Sequence, residues 1–221
     1  MMTRNQISAI LALSLFFWVA LLLWRGVPIT LEMLLPFSSV VGAVSLSLLV
    51  FDRWVWHLLI FRGWLVQRPM IHGTWAVELK SDWCDPATQK GIAPIPCYMV
   101  VRQTASALSL RLITRESRSE TISAGIEVCK DGAFEISCVY RNKPLSEFRH
   151  RSEVHYGAML LTAGTARPAI LEGEYWTDRK TTGTVALSTR KTELCTTFEE
   201  CEALFLIAPA HPEPVREAHS A

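Results

Sequence analysis

The run ISAILALSLFFWVALLLW, Ile7 to Trp24, holds 18 residues without a charge. At ~1.5 Å per residue such a helix covers about 27 Å, close to the ~30 Å of bilayer hydrocarbon. A cleaved secretory leader is the competing reading. The run is too long for one, and Trp24-Arg25-Gly26-Val27-Pro28 makes a poor cleavage site. A second apolar run, Met33 to Phe51, follows after a short loop, so the sequence predicts a transmembrane hairpin of two spans. Arg53, Arg62 and Arg68 follow the second span and Arg4 precedes the first, while the connecting loop carries Arg25 beside Glu32. That bias predicts both termini on the cytoplasmic side.

The second span pairs small residues at four-residue spacing: Ser38 with Gly42, Ser39 with Ala43, Ala43 with Ser47. Such a face lets helix backbones approach closely in lipid. It serves packing against the first span or self-association, and Ser39, Gly42 and Ala43 are the candidate oligomerisation residues. From Asp52 to Leu65, three tryptophans mix with Arg53, Arg62 and His57, a composition suited to the headgroup zone. Gln67-Arg68-Pro69 ends this segment, because the residue before a proline resists the helical conformation. Residues 1–66 are therefore expected to form the membrane part.

Beyond Gly73 the pattern changes to period two, with β-branched and aromatic residues between turn-forming clusters. Eight strands are predicted: Thr74–Ser81, Tyr98–Thr104, Ala107–Arg115, Glu120–Val128, Phe134–Arg141, Val154–Thr162, Ile170–Asp178 and Thr182–Ser188. No long helical pattern separates them, which disfavours parallel crossovers. The expected fold is an all-β, eight-stranded antiparallel up-and-down barrel of the lipocalin or calycin type over residues 67–190. Residues 191–221 form a tail in which TFEECEALFL reads as a short amphipathic helix.

Alternation assigns the inward faces, and the fourth is read as Ile122-Ala124-Ile126-Val128. Several polar groups share these faces near strand ends: Gln103, Thr114, Tyr140, His155, Tyr175 and Thr177. Buried polar groups need partners, so a barrel that only packed itself would have little use for them. They are the candidate ligand-binding residues. Gly73-Thr74-Trp75 resembles the Gly-x-Trp of a lipocalin first strand, where the Trp plugs one end under a late arginine. Arg179 is open between that stacking duty and ligand contact.

Net charge is +1, so no global field points to a DNA or RNA polymer as partner. The six cysteines form no CxxC and lack histidines at metal-ligand spacing, which argues against a metal site. With the barrel placed inside the cell they are expected to stay as thiols. No nucleophile elbow, HExxH, Walker loop or GxGxxG occurs, and no catalytic residue is assigned. The chain is expected not to be an enzyme and to need no cofactor.

The segments GTWAVELKSDW, VVRQTASALSLRLITRESRSETIS and GEYWTDRKTTGTV, in this order behind two apolar runs, resemble the two-span β-barrel effectors of bacterial CBASS anti-phage systems. The matching positions are Gly73 and Trp75, Gln103 and Thr104, Thr114 with Ser117 and Ser119, then Gly173, Tyr175, Trp176, Thr177, Arg179 and Gly183. Arg118 stands where the family pattern has a further small hydroxyl residue. Gly73, Trp75 and Gly173 would be structural. The resemblance implies a barrel that binds a cyclic di- or oligonucleotide made by a CD-NTase during infection. It further implies self-association in the bacterial inner membrane, disruption of the lipid bilayer and death of the infected cell. The alternative is a membrane-anchored lipocalin-like binding protein for an apolar small molecule.

Overall fold

The computed structural model describes residues 66–84, 90–150 and 152–206, together with 45–61 and, before them, residues 11, 14–16, 18–20, 22–24, 26 and 42. Two compact units emerge, residues 1–67 with 103–108, and residues 68–102 with 109–221. Eight of the 18 residues of the first apolar run and 11 of the 19 of the second, Ser39 and Ala43 among them, lie outside the described residues, so the two-span hairpin is not seen whole. Among the described residues no helix is long and apolar enough to cross a membrane.

In the first unit, helical residues 45–50 continue into a π-helical turn, Phe51–Val55, and a 3-10 turn, Leu59–Phe61. Asp52 ties this stretch to residues 104–106. Its carboxylate accepts the Ser106 N–H at 2.7 Å and the Thr104 hydroxyl at 3.3 Å.

The second unit is built on a closed antiparallel barrel of eight strands in sequence order. They are β1 (Gly73–Ser81), β2 (Ile95–Gln103), β3 (Leu108–Ile113), β4 (Ser117–Val128), β5 (Phe134–Pro144), β6 (His155–Ala163), β7 (Leu171–Thr177) and β8 (Thr182–Lys191). β8 returns to pair with β1, so no edge is left exposed. All eight expected strands are present, with ends displaced by up to three residues.

Period-two burial follows the expected faces on most strands. Phe134, Ile136, Cys138 and Tyr140 are buried on β5, as are Met159 and Leu161 on β6. β4 departs from the expectation. Its register with β5 shifts between Thr121 and Ser123, a bulge that inverts the side-chain parity. Before the bulge Ser119 is buried; Ile122, expected inside, is 56% exposed; after it Ala124 and Ile126 stand opposite Cys138 and Ile136.

One end of the barrel is plugged. Trp75 is fully buried, its indole N–H donates to the Ile71 carbonyl at 2.9 Å, and the guanidinium of Arg190 lies 5.4 Å from its ring. Arg190 also donates to the Met70 carbonyl. The stacking duty thus falls to Arg190 and not to Arg179. Two glycines serve this wall. Gly73 has φ of +129°, and a Cβ there would strike the Lys191 carbonyl; a Cβ on Gly173 would strike the Leu160 carbonyl.

The tail packs on the outside of the barrel through helix α1, Phe198–Leu206. Phe198, Cys195 and Cys201 form a buried cluster with Val100 and Ile113, while Tyr98 stacks on Phe205. Cys195 and Cys201 are joined in a disulfide and not held as thiols, since the compartment argument takes no account of two cysteines brought within 5.4 Å between their Cα atoms. Cys84, Cys97, Cys129 and Cys138 are free.

Candidate functional site

Because successive strands run in opposite directions, the β1–β2, β3–β4, β5–β6 and β7–β8 connections share one rim, opposite the Trp75 plug. This rim opens on a cavity of about 830 Å³. That lies within the ~300–1,000 Å³ usual for small-molecule sites. Leu79, Met159 and Val185 supply apolar wall inside it, and all four connections contribute to its mouth.

Two tyrosines lie over glycines. A Cβ on Gly157 would sit 2.5 Å from the ring and hydroxyl of Tyr140, and one on Gly183 would sit 2.8 Å from the Tyr175 ring. In register, Tyr140 faces Gly157, which faces Thr177, while Tyr175 faces Gly183. Without side chains at those glycines, each ring can lie against the wall and leave the lumen open. Burial pushes the Tyr140 phenol well above its ordinary pKa, with the nearby Tyr175 adding to it. Tyr140 is therefore a neutral hydroxyl donor.

The turn from β7 to β8 is built by hydroxyls. The Thr177 and Thr181 hydroxyls meet at 2.6 Å, and the Thr177 N–H donates to the Thr181 carbonyl. Lys180 takes a positive φ of 61° at the tip. Asp178 is bound to the neighbouring strand; its carboxylate accepts the Tyr156 N–H at 3.1 Å and its own N–H returns to the Tyr156 carbonyl. Arg179 donates to the Ser152 hydroxyl at 3.2 Å and lines the cavity.

The β3–β4 turn repeats that chemistry. Thr114 and Ser117 hydroxyls are 3.1 Å apart, and the Ser117 N–H donates to the Thr114 oxygen at 2.9 Å. Further along, hydroxyls replace part of the ladder between β3 and β4. The Ser119 oxygen accepts the Leu112 N–H, and Thr121 both accepts from Leu110 N–H and donates to its carbonyl at 2.6 Å. The serine-rich segment is thus partly consumed in closing the barrel.

His155 is buried at the mouth, with its Nδ1 hydrogen-bonded to the Glu153 carbonyl at 3.0 Å. Burial lowers its pKa; the Glu153 bond raises it, Arg179 lowers it and Asp178 raises it. The imidazole is therefore neutral at pH 7, with Nδ1–H as the donor that the carbonyl requires.

Of the residues singled out from the sequence, Thr114, Tyr140, His155, Tyr175, Thr177 and Arg179 line this cavity together. Gln103 is buried but is not part of it, since β2 enters at the mouth and carries Gln103 to the other end. Sequence reasoning missed Trp83, Arg115, Asn142 and Phe148, which also line it. Alternation marks inward faces on strands and says nothing about rim loops, which hold most of these. Asn142 lies on β5 opposite His155, and only its position near the strand end could have flagged it.

A family model described as Cap15, cyclic dinucleotide receptor domain, matches residues 66–189. The match starts two residues before the second compact unit and ends within β8. No curated protein matches the chain.

Proposed function

Given that this chain belongs to the Cap15 cyclic dinucleotide receptor domain family, a CBASS effector domain, we propose that it is a membrane effector switched by a cyclic nucleotide. The barrel binds the signal at its open mouth. Binding drives self-association of the spans and disruption of the bacterial inner membrane, with the barrel on the cytoplasmic side, where a CD-NTase makes the signal. The observation that carries this reading is the mouth itself. One cavity gathers two tyrosines, threonine hydroxyls, a neutral histidine and Arg179 within the stretch matched by the family. Flat bases suit aromatic faces, and phosphates suit guanidinium and hydroxyl donors.

The membrane part is supported by the uncharged runs Ile7–Trp24 and Met33–Phe51. It is further supported by the large apolar side chains that face solvent in the first unit, among them Phe16, Leu46, Leu49 and Ile60. Apolar groups exposed together mark a surface that meets lipid or another protein, and beside two uncharged runs of near-bilayer length lipid is the fitting one.

The test is dye release from vesicles of bacterial lipid carrying the full chain. Addition of one cyclic dinucleotide should release dye. Ser39→Leu with Ala43→Leu, which fills the small-residue face, should bind the ligand normally and release far less. Leakage independent of ligand, or none with a ligand that demonstrably binds, would overturn the effector reading. Undiminished leakage from the double variant would remove assembly through that face.

A further inference from the structure

We propose that the barrel mouth is divided into four quadrants that match the alternating phosphates and bases of a cyclic dinucleotide: Arg115 and Arg179 each take one phosphate, and Trp83 and Phe148 each stack one base. This rests on the receptor reading above and assigns the parts of the site.

Topology supplies the first argument. In an eight-strand closed barrel the β3–β4 and β7–β8 turns are four strands apart, on opposite sides of the rim. The β1–β2 and β5–β6 connections occupy the other two sides. Arg115 and Arg179 line the cavity from the first pair of turns, and Trp83 and Phe148 line it from the second pair. Cation, aromatic, cation, aromatic is the order met on going round the mouth. In a cyclic dinucleotide the phosphates face each other across the ribose–phosphate ring, and the bases leave from the two remaining sides. The two alternations have the same symmetry.

Turn chemistry supplies the second. Each cationic turn brackets its arginine between hydroxyls that bond across it, Thr114 with Ser117 at 3.1 Å and Thr177 with Thr181 at 2.6 Å. Neither arginine has a buried ion-pair partner. Arg179 meets the Ser152 hydroxyl. Arg115 pairs with Glu202 of α1 at 2.6 Å and lies 4.8 Å from the Phe198 ring, but its side chain is 67% exposed. An exposed ion pair of that kind holds its partners weakly, so a doubly hydrogen-bonding phosphate can displace it. Glu116 also lines the cavity, so the Arg115 quadrant is not uniformly positive and a phosphate there must meet the guanidinium directly.

The aromatic quadrants are independent of the charges. Trp83 is 41% exposed, leaving surface for a base, and Phe148 sits in the short 3-10 turn Ser146–Phe148 of the facing loop. A three-fold cyclic trinucleotide cannot register on this arrangement, and a cyclic mononucleotide fills half of it.

The experiment is calorimetric titration of the full chain in detergent with cyclic di-AMP, cyclic di-GMP, cyclic GMP–AMP, cyclic tri-AMP and cyclic AMP. One cyclic dinucleotide should bind best. Against it, Arg115→Gln and Arg179→Gln should each weaken binding by about tenfold or more, and each should flatten its salt dependence. Trp83→Leu and Phe148→Leu should each cost about fivefold or more, with the salt dependence unchanged. Arg115→Lys, which keeps the charge and loses the fork, should fall between wild type and Arg115→Gln. Wild-type affinity in Arg115→Gln or in both aromatic variants, or tighter binding of cyclic tri-AMP, would overturn the quadrant assignment and leave the receptor reading standing. No binding by the folded wild-type chain to any of the five would overturn both.

Discussion

Gly157 stands between Tyr140 and Thr177 across three neighbouring strands, and the Tyr140 ring occupies the space a side chain would take. Replacing it with alanine forces the ring off the wall and into the lumen. Gly157→Ala should cost about 1–3 kcal/mol of stability by overpacking, seen in chemical denaturation, and should weaken ligand binding in parallel. A fully stable variant with normal affinity would show that the ring is not confined there. His155 gives a pH signature. Its folded pKa is depressed below 6.5, chiefly by burial, so the stability it contributes is complete above the unfolded value and is lost as pH falls through the folded one. An anionic ligand beside it acts the other way, favouring the imidazolium. Below pH 6.5 the empty barrel should therefore lose stability while cyclic dinucleotide affinity rises, with measurable proton uptake on binding; His155→Gln should abolish that uptake. Binding without proton uptake in the wild type would place the phosphates away from this residue.

At the scale of elements, strand existence was legible because each strand buries one face against a common lumen, which period two reports directly. What that pattern could not report is a change of parity within one strand. The bulge in β4 puts Ile122 outside, and neither its hydrophobicity nor its neighbours signal this. The compartment argument likewise hid the Cys195–Cys201 pair, which closes a short loop within the tail and packs beside Val100 and Ile113. The β3–β4 seam is a third such case, since its hydroxyls look like ligand groups in the sequence and act partly as ladder. Thr121→Val would leave both the N–H and the carbonyl of Leu110 without this partner. A loss of about 1–3 kcal/mol is expected, with faster amide exchange at Leu110 and Leu112. Unchanged exchange there would mean the strands pair without the side chain.

For the whole molecule, the sequence pattern separated the apolar front from the barrel behind it, and six of seven proposed ligand residues converge on one mouth. Its blind spot was direction. Inward-facing polar residues at the two barrel ends look identical in sequence, so Gln103 is grouped with the mouth residues, and Arg179 stays open between cap and rim. Only closure of the strands separates a plugged end, under Trp75 and Arg190, from an open one. The central claim is that the open end receives a cyclic dinucleotide. Its most direct measurement is the stoichiometry and affinity of cyclic dinucleotide binding to the full chain by calorimetry, alone and with Tyr175→Ala. The account predicts one ligand per barrel at micromolar affinity or tighter, about −8 kcal/mol or better, and severe weakening in the variant, whose fold should persist. Binding that Tyr175→Ala leaves intact, or a folded barrel that takes apolar ligands and no cyclic dinucleotide, would contradict it.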